Sequence, residues 1–181
     1  MKILHKRFAL SGIHALSNNS HNQKEKYTVN APILYFAYGS NMNPNRMQRR
    51  CPGAVPLGVA RLPNYRLSER LYADIDFEEG ASVYGVLYCI WDRHLDQLDL
   101  FEGYPRIYRR MWLAVEYQNE VVLAVTYEMS LDTKRIREGQ PYPDDYRRLC
   151  SAGAVYFKVP NAFASPKKLF LNLKLKRRPK K

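Results

Sequence analysis

The run Ile33-Leu34-Tyr35-Phe36-Ala37-Tyr38-Gly39-Ser40-Asn41 most constrains what this chain can fold into. Six apolar or aromatic residues lead without a polar break into Gly39-Ser40-Asn41, and Asn43-Pro44 follows at once. A buried strand that stops at a tight turn has this form. Asn43 as a cap and Pro44 at a first helical position predict a short helix over about Pro44–Arg50, which Cys51-Pro52-Gly53 ends. The first N–H groups after such a junction have no internal partner. Two readings follow: a small nest for a carboxylate or oxyanion, or a turn glycine and helix cap with no ligand.

The rest of the chain reads as strands with a few short helices. Val55–Leu62 and Tyr65–Glu69 are strand-like on either side of a turn at Pro63-Asn64. Asp76–Gly80 reads as an acidic loop. Ser82–Ile90 is a strong strand with Gly85 inside it, a position that often marks a bulge or a close backbone approach. Asp92 predicts a cap for a helix over Arg93–Phe101, with Gly103 ending it. Ile107–Tyr117 and Val121–Met129 form a hairpin about Gln118-Asn119. Residues 130–143 read as a polar loop, Asp144-Asp145 opens a helix near Tyr146–Ala152, and Val155–Val159 reads as an edge strand. The pattern is α+β, a mixed and mostly antiparallel sheet, read as a small barrel.

The charge is unevenly placed. The formal net charge of +12 comes from five Lys/Arg against one Glu in residues 1–30 and eight Lys/Arg against no acid in 167–181. Residues 31–166 hold 16 basic and 16 acidic residues, so the body is neutral. A nucleic-acid fold spreads its basic residues over a folded face, which weighs against nucleic acid and leaves only weak polyanion contact through the tails. The expected organisation is a basic N-terminal tail over 1–30, one domain over 31–160 and a basic C-terminal tail over 161–181. No apolar run approaches the ~18 residues of a membrane span, and the N-terminus lacks the apolar core of a secretory signal. Cys51, Cys89 and Cys150 are odd in number and widely spaced, which suggests reduced thiols in the cytoplasm. Cys89 reads as a small core residue.

One acidic residue falls where a carboxylate is costly. At ~100° per residue, Glu102 lies between Leu95 and Leu98 on the helix wheel. There, desolvation and the C-terminal dipole both raise a carboxyl pKa, which suits a general base near neutral pH. The alternative has Glu102 frayed out of the helix and paired with Arg106, Arg109 or Arg110. His94 reads as solvated, and Asp76, Glu78 and Glu79 as a solvated loop rather than a metal site. The chain has no nucleophile elbow, phosphate-binding glycine loop or paired-histidine motif.

With these residues placed, the chain resembles the gamma-glutamylcyclotransferase family. Leu34-Tyr35-Phe36-Ala37-Tyr38-Gly39-Ser40-Asn41 resembles its substrate loop. Val59-Ala60-Arg61-Leu62 and Val83-Tyr84-Gly85-Val86-Leu87-Tyr88 resemble its following strands. Leu95-Asp96-Gln97-Leu98-Asp99-Leu100-Phe101-Glu102-Gly103 resembles the segment with its catalytic glutamate, and Asp145-Tyr146-Arg147-Arg148 to Gly153-Ala154 the segment with a substrate-contacting tyrosine. The resemblance covers roughly residues 33–157. It implies a small mixed barrel with a cavity at one end and a reaction without a cofactor. In that reaction the α-amine of a γ-glutamyl group attacks its own side-chain carbonyl, releasing 5-oxoproline and an amino acid or amine. By the same resemblance Glu102 transfers the proton, and Tyr35, Phe36, Ala37, Tyr38, Gly39, Ser40 and Tyr146 bind the substrate. Tyr38-Gly39-Ser40-Asn41 is similar to the branch acting on γ-glutamyl amino acids. Phe101-Glu102-Gly103-Tyr104-Pro105 with Tyr108-Arg109-Arg110 is similar to the branch acting on γ-glutamylamines, so the leaving group stays open. The alternative function is a catalytically idle member that keeps the barrel as a small-molecule binding module.

Overall fold

The computed structural model describes residues 31–160 and Phe163. The two tails expected at 1–30 and 161–181 therefore lie, that one residue apart, outside the described residues. Five strands close into a barrel in the order β1-β3-β2-β4-β5, where β1 is Ile33–Ala37, β2 Val55–Arg70, β3 Tyr72–Ile90, β4 Tyr108–Tyr117 and β5 Glu120–Met129. Neighbours are antiparallel except β1 and β5, which run parallel and close the ring at Tyr35 opposite Val125. The apolar run of β1 follows from this place between two neighbours: Tyr35, Phe36 and Ala37 are all buried. The expected mixed, mostly antiparallel barrel with short helices is the fold observed.

Close approach explains two glycines. A Cβ on Gly85 would lie 2.4 Å from the Ala37 carbonyl oxygen and 2.9 Å from the Phe36 ring, so β3 can run against β1 only with glycine there. The second is Gly153 in α4 (Asp144–Phe157), where a Cβ would lie 2.5 Å from the Asn43 nitrogen. Its absence lets α4 lie on the loop that leaves β1.

Helix α1 (Pro44–Arg50) starts as expected, with the Asn43 side chain accepting from the Arg46 N–H at 3.1 Å. Helix α2 (Asp92–Glu102) ends at Gly103 in the left-handed region, φ 64°. Its cap is Trp91 rather than Asp92, which lies inside the first turn. The Trp91 N–H donates to His94 Nδ1 at 3.4 Å. His94 is buried, not solvated: its ring packs edge-on to Trp91 and its Nε2 sits 2.9 Å from the Pro52 carbonyl. Burial pulls its pKa down.

Four expectations on the backbone change. The turn expected at Pro63-Asn64 is a bulge inside the continuous strand β2, with Asn64 at φ 60°. The true reversal is at Leu71, φ 62°, between Arg70 and Tyr72. The acidic loop Asp76–Gly80 is part of β3, because cations meet its charge. The Asp76 carboxylate accepts from Ser68 at 2.6 Å, Lys134 at 2.7 Å, Arg70 at 2.9 Å and Arg66 at 3.0 Å. Within the polar loop 130–143 lies helix α3 (Leu131–Arg137), which the Ser130 side chain caps by accepting from the Thr133 N–H. The edge strand expected at Val155–Val159 is the last turn of α4 and its left-handed end at Lys158. Helix propensity summed along α4 and its docking at Gly153 outweigh the β-branched Val155 and Val159. Cys51 and Cys150 are buried, whereas Cys89 is half-buried rather than core.

Candidate active site

The loop after β1 makes a short 3-10 turn, Ser40–Met42, whose Met42 N–H donates back to the Gly39 carbonyl at 3.0 Å. Gly39 has φ −118°, a value open to any residue, so its conformation does not require glycine. Space there is tight: a Cβ would stand 3.0 Å from the Tyr146 hydroxyl and 3.1 Å from the Ala73 side chain, so those neighbours would have to give by a few tenths of an ångström. Tyr146 comes from the first turns of α4, and its oxygen accepts the Ala73 N–H at 3.1 Å. The close approach of α4 at Gly153 therefore sets Tyr146 over the loop.

Opposite the loop, α2 delivers Glu102 from its last turn. The fraying alternative does not hold. The Glu102 carboxylate accepts from Asn41 Nδ2 and from Arg50 Nη1, both at 3.1 Å. Arg50 also donates to Asn41 Oδ1 at 3.0 Å, and Asn41 to the Tyr35 hydroxyl at 2.8 Å. Three side chains from three elements thus form a closed ring of hydrogen bonds around one carboxylate. Of the three cations first expected to pair with Glu102, Arg110 is held by Asp99 and Arg109 by Glu128.

Burial raises the pKa of Glu102 above its ordinary value of 4.5, and the opposing pull of Arg50 and Asn41 does not cancel it. The structure thus gives the raised carboxyl that the helix wheel predicts, with burial as the leading cause. A pocket floor of about 30 Å³ is lined by Glu102, Gly39, Ser40, Asn41, Ala73 and five tyrosines, Tyr35, Tyr38, Tyr108, Tyr127 and Tyr146. Burial drives the pKa of every one of these phenols upward. They stay neutral and act as hydrogen-bonding walls. Glu102 is the one carboxylate among the described residues lining that floor, and its pKa is shifted upward. The floor opens into a wider cleft of about 220 Å³ that shares Ser40, Glu102, Tyr108 and Tyr146 with it.

Six of the expected site residues, Tyr35, Tyr38, Gly39, Ser40, Glu102 and Tyr146, meet at this floor. Phe36 and Ala37 do not line it. The Phe36 ring fills the space beside Gly85, its carbonyl accepts from Thr126 Oγ1 at 2.8 Å, and the Ala37 carbonyl faces β3. Sequence reasoning left out Asn41, Arg50, Ala73, Tyr108 and Tyr127. Asn41 stands inside the quoted loop and was within reach. Nothing local marks the others, which come from α1, β3, β4 and β5.

Residues 35–148 match the family described as gamma-glutamyl cyclotransferase, AIG2-like. The chain belongs to this family. The matched span runs from Tyr35 at the pocket floor through Glu102 to just past Tyr146. A gamma-glutamylcyclotransferase of Bos taurus is 39% identical over 83 residues, covering 39% of this chain and 44% of the relative. The chain thus spans less than half the length of that curated relative. An uncharacterized human protein of known structure superposes with a TM-score of 0.65 at 26% identity, over 83% of this cyclotransferase-family chain and 89% of the other. A solved gamma-glutamyl cyclotransferase superposes with a TM-score of 0.60 at 24% identity, over 83% and 90%, and shows the shared fold.

Proposed function

We propose that the protein is a γ-glutamyl cyclotransferase, releasing 5-oxoproline and an amino acid or amine from a small γ-glutamyl amide. The observation that carries this reading is the Glu102 carboxylate, its side chain 17% exposed and its pKa raised, on the same pocket floor as the Gly39–Asn41 loop. A substrate enters with its α-amine protonated. Glu102 takes one proton from that ammonium, and the freed amine attacks the γ-carbonyl carbon. The new C–N bond closes a five-membered ring, protonated Glu102 returns its proton to the departing nitrogen as the original amide C–N bond breaks, and the ring nitrogen passes its second proton through Glu102 to that amine, which leaves as an ammonium. Atoms and charge balance without water or a cofactor.

The attack is intramolecular, so holding the chain folded toward its own carbonyl supplies much of the acceleration. The first N–H groups of the Ser40–Met42 turn are unused within it, and they suit the substrate carboxylate or the developing oxyanion. Neutral Tyr35, Tyr38 and Tyr146 bound the space in which the glutamyl chain folds. Asn41 and Arg50 fix the Glu102 carboxylate, so it meets the amine in one orientation. We assign the activity to the unit spanning residues 31–160, working in the cytoplasm. Three free cysteines suit that setting, and no helix among the described residues is long and apolar enough to cross a membrane.

The test is 5-oxoproline release from γ-glutamyl amino acids, γ-glutamylamines and glutathione, with Glu102→Gln alongside. Release by the wild type and not by the variant supports the reading. Binding of these compounds with no release from any of them would leave a catalytically idle binding module instead.

A further inference from the structure

The cleft beyond the pocket floor is cationic without a matching anion. Arg46 and Arg50 reach it from α1 and Arg137 from the end of α3. Glu102 is the one carboxylate among the described residues that line it, and Arg50 already holds that group. The Nε of Arg46 and one Nη of Arg137 are buried, and neither has a hydrogen-bond partner among the described residues. Buried guanidinium donors are seldom left without an acceptor. Arg46 and Arg50 also stand four apart on one helix, where like charges repel, and burial together with Arg50 pulls the pKa of Arg46 down. Arg137 is steadied by stacking on the Tyr72 ring, 5.3 Å from its centroid, which in turn packs edge-on to Tyr146.

We propose that Arg46 and Arg137 form a carboxylate subsite that receives the leaving group, so that the enzyme selects γ-glutamyl amides whose departing amine carries an α-carboxylate. The inference rests on the cyclotransferase reading of Glu102. Glu102 protonates the departing nitrogen and lines both the floor and the cleft. In an α-amino acid the carboxylate carbon is about 2.5 Å from that nitrogen by standard bond lengths. Once the nitrogen is at Glu102, the carboxylate therefore falls on the arginine side. A simple amine offers nothing to these donors and leaves them desolvated and unpaired. Guanidinium is the group suited to this task, because its planar fork meets both carboxylate oxygens at once.

The experiment compares γ-glutamyl-L-alanine with γ-glutamylethylamine, which differ only by the leaving-group carboxylate. The expected wild-type ratio of kcat/KM favours the alanine compound by ~10–100-fold, the worth of a charge-assisted pair of hydrogen bonds. In Arg137→Gln and in Arg46→Gln that ratio falls by ~10-fold. Because both compounds are measured on one sample, partial misfolding cancels from the ratio. A ratio unchanged in both variants overturns the proposal, whatever their absolute rates, since the arginines would then hold the glutamyl part common to both compounds. A wild-type preference for the ethylamine compound overturns it as well. Calorimetric binding of the two compounds to Glu102→Gln, with and without Arg137→Gln, reads the subsite without turnover. A dissociation-constant ratio that favours the carboxylate and collapses with Arg137→Gln supports the subsite even where no 5-oxoproline forms. Failure of the cyclotransferase reading is thereby distinguished from failure of the subsite.

Discussion

Replacing Glu102 by Gln separates what the carboxylate does for the reaction from what it does to the fold. The carboxyl is held above its ordinary value of 4.5 by burial, against the pull of Arg50 and Asn41. The folded protein therefore binds this proton more tightly than the unfolded chain. Stability falls as pH rises from that ordinary value through the raised folded one, and is flat above it. Each tenfold difference in proton affinity corresponds to ~1.4 kcal/mol. Glutamine carries no charge to desolvate, and its carbonyl can still accept from Asn41 and Arg50. The variant loses the attraction to Arg50, whose side chain is 12% exposed beside a Glu102 side chain at 17%. Burial is nonetheless the larger of the two influences on Glu102, so at pH 8 the variant is expected to be the more stable of the two. The gap closes as pH falls below the ordinary value of 4.5, where the wild-type carboxyl is protonated in both states. Urea denaturation of both proteins at pH 4 and pH 8 measures this, while 5-oxoproline release falls ~10²–10⁴-fold. A variant less stable than the wild type at pH 8 by 2 kcal/mol or more, about a thirtyfold shift in the folding equilibrium, would refute the ordering of burial over the Arg50 pair. An undiminished rate would move the proton transfer to another group.

Three further perturbations test neighbouring parts of the structure. Gly85→Ala sets a methyl 2.4 Å from the Ala37 carbonyl, so β1 and β3 must part; thermal melting is expected to show a loss of at least ~2 kcal/mol, and an unchanged melting temperature would contradict the close approach. Gly39→Val forces the Tyr146 hydroxyl and Ala73 away from the loop, from starting distances of 3.0 and 3.1 Å; a ~10²-fold fall in kcat/KM is expected, and normal kinetics would remove the loop from the site. Asp76 is buried enough to favour its neutral form, yet Lys134, Ser68 and Arg70 together hold its carboxyl well below the ordinary 3.8. Its contribution is therefore complete above 3.8 and lost as pH falls through the lower folded value. Asp76→Asn is expected to cost about 3 kcal/mol at pH 7 and to flatten the acid side of the stability profile, and a variant with the wild-type acid profile would assign that loss to other carboxylates.

The sequence by itself determined the parts whose causes are local. The apolar run Ile33–Ala37, the Asn43-Pro44 helix start, the left-handed end at Gly103 and the tight reversal at Gln118-Asn119 each follow from a few adjacent residues, and each is present. The helix wheel likewise put Glu102 on the apolar face of α2. Only the tertiary structure decided the rest, because its causes join residues far apart in the chain. The charge of Asp76 reads as a loop until Arg66, Arg70 and Lys134 neutralise it inside a strand. His94 reads as solvated until Pro52 supplies a partner from another loop. The ring of Asn41, Arg50 and Glu102 exists because the turn after β1, α1 and α2 converge at one end of a closed barrel. Barrel closure also decides which strand residues face that end, and so excludes Phe36 and Ala37 from the floor while admitting Tyr108 and Tyr127. A linear pattern records which residues want burial or charge; which ones meet is set by packing, where the desolvation of one group is balanced by a partner tens of residues away.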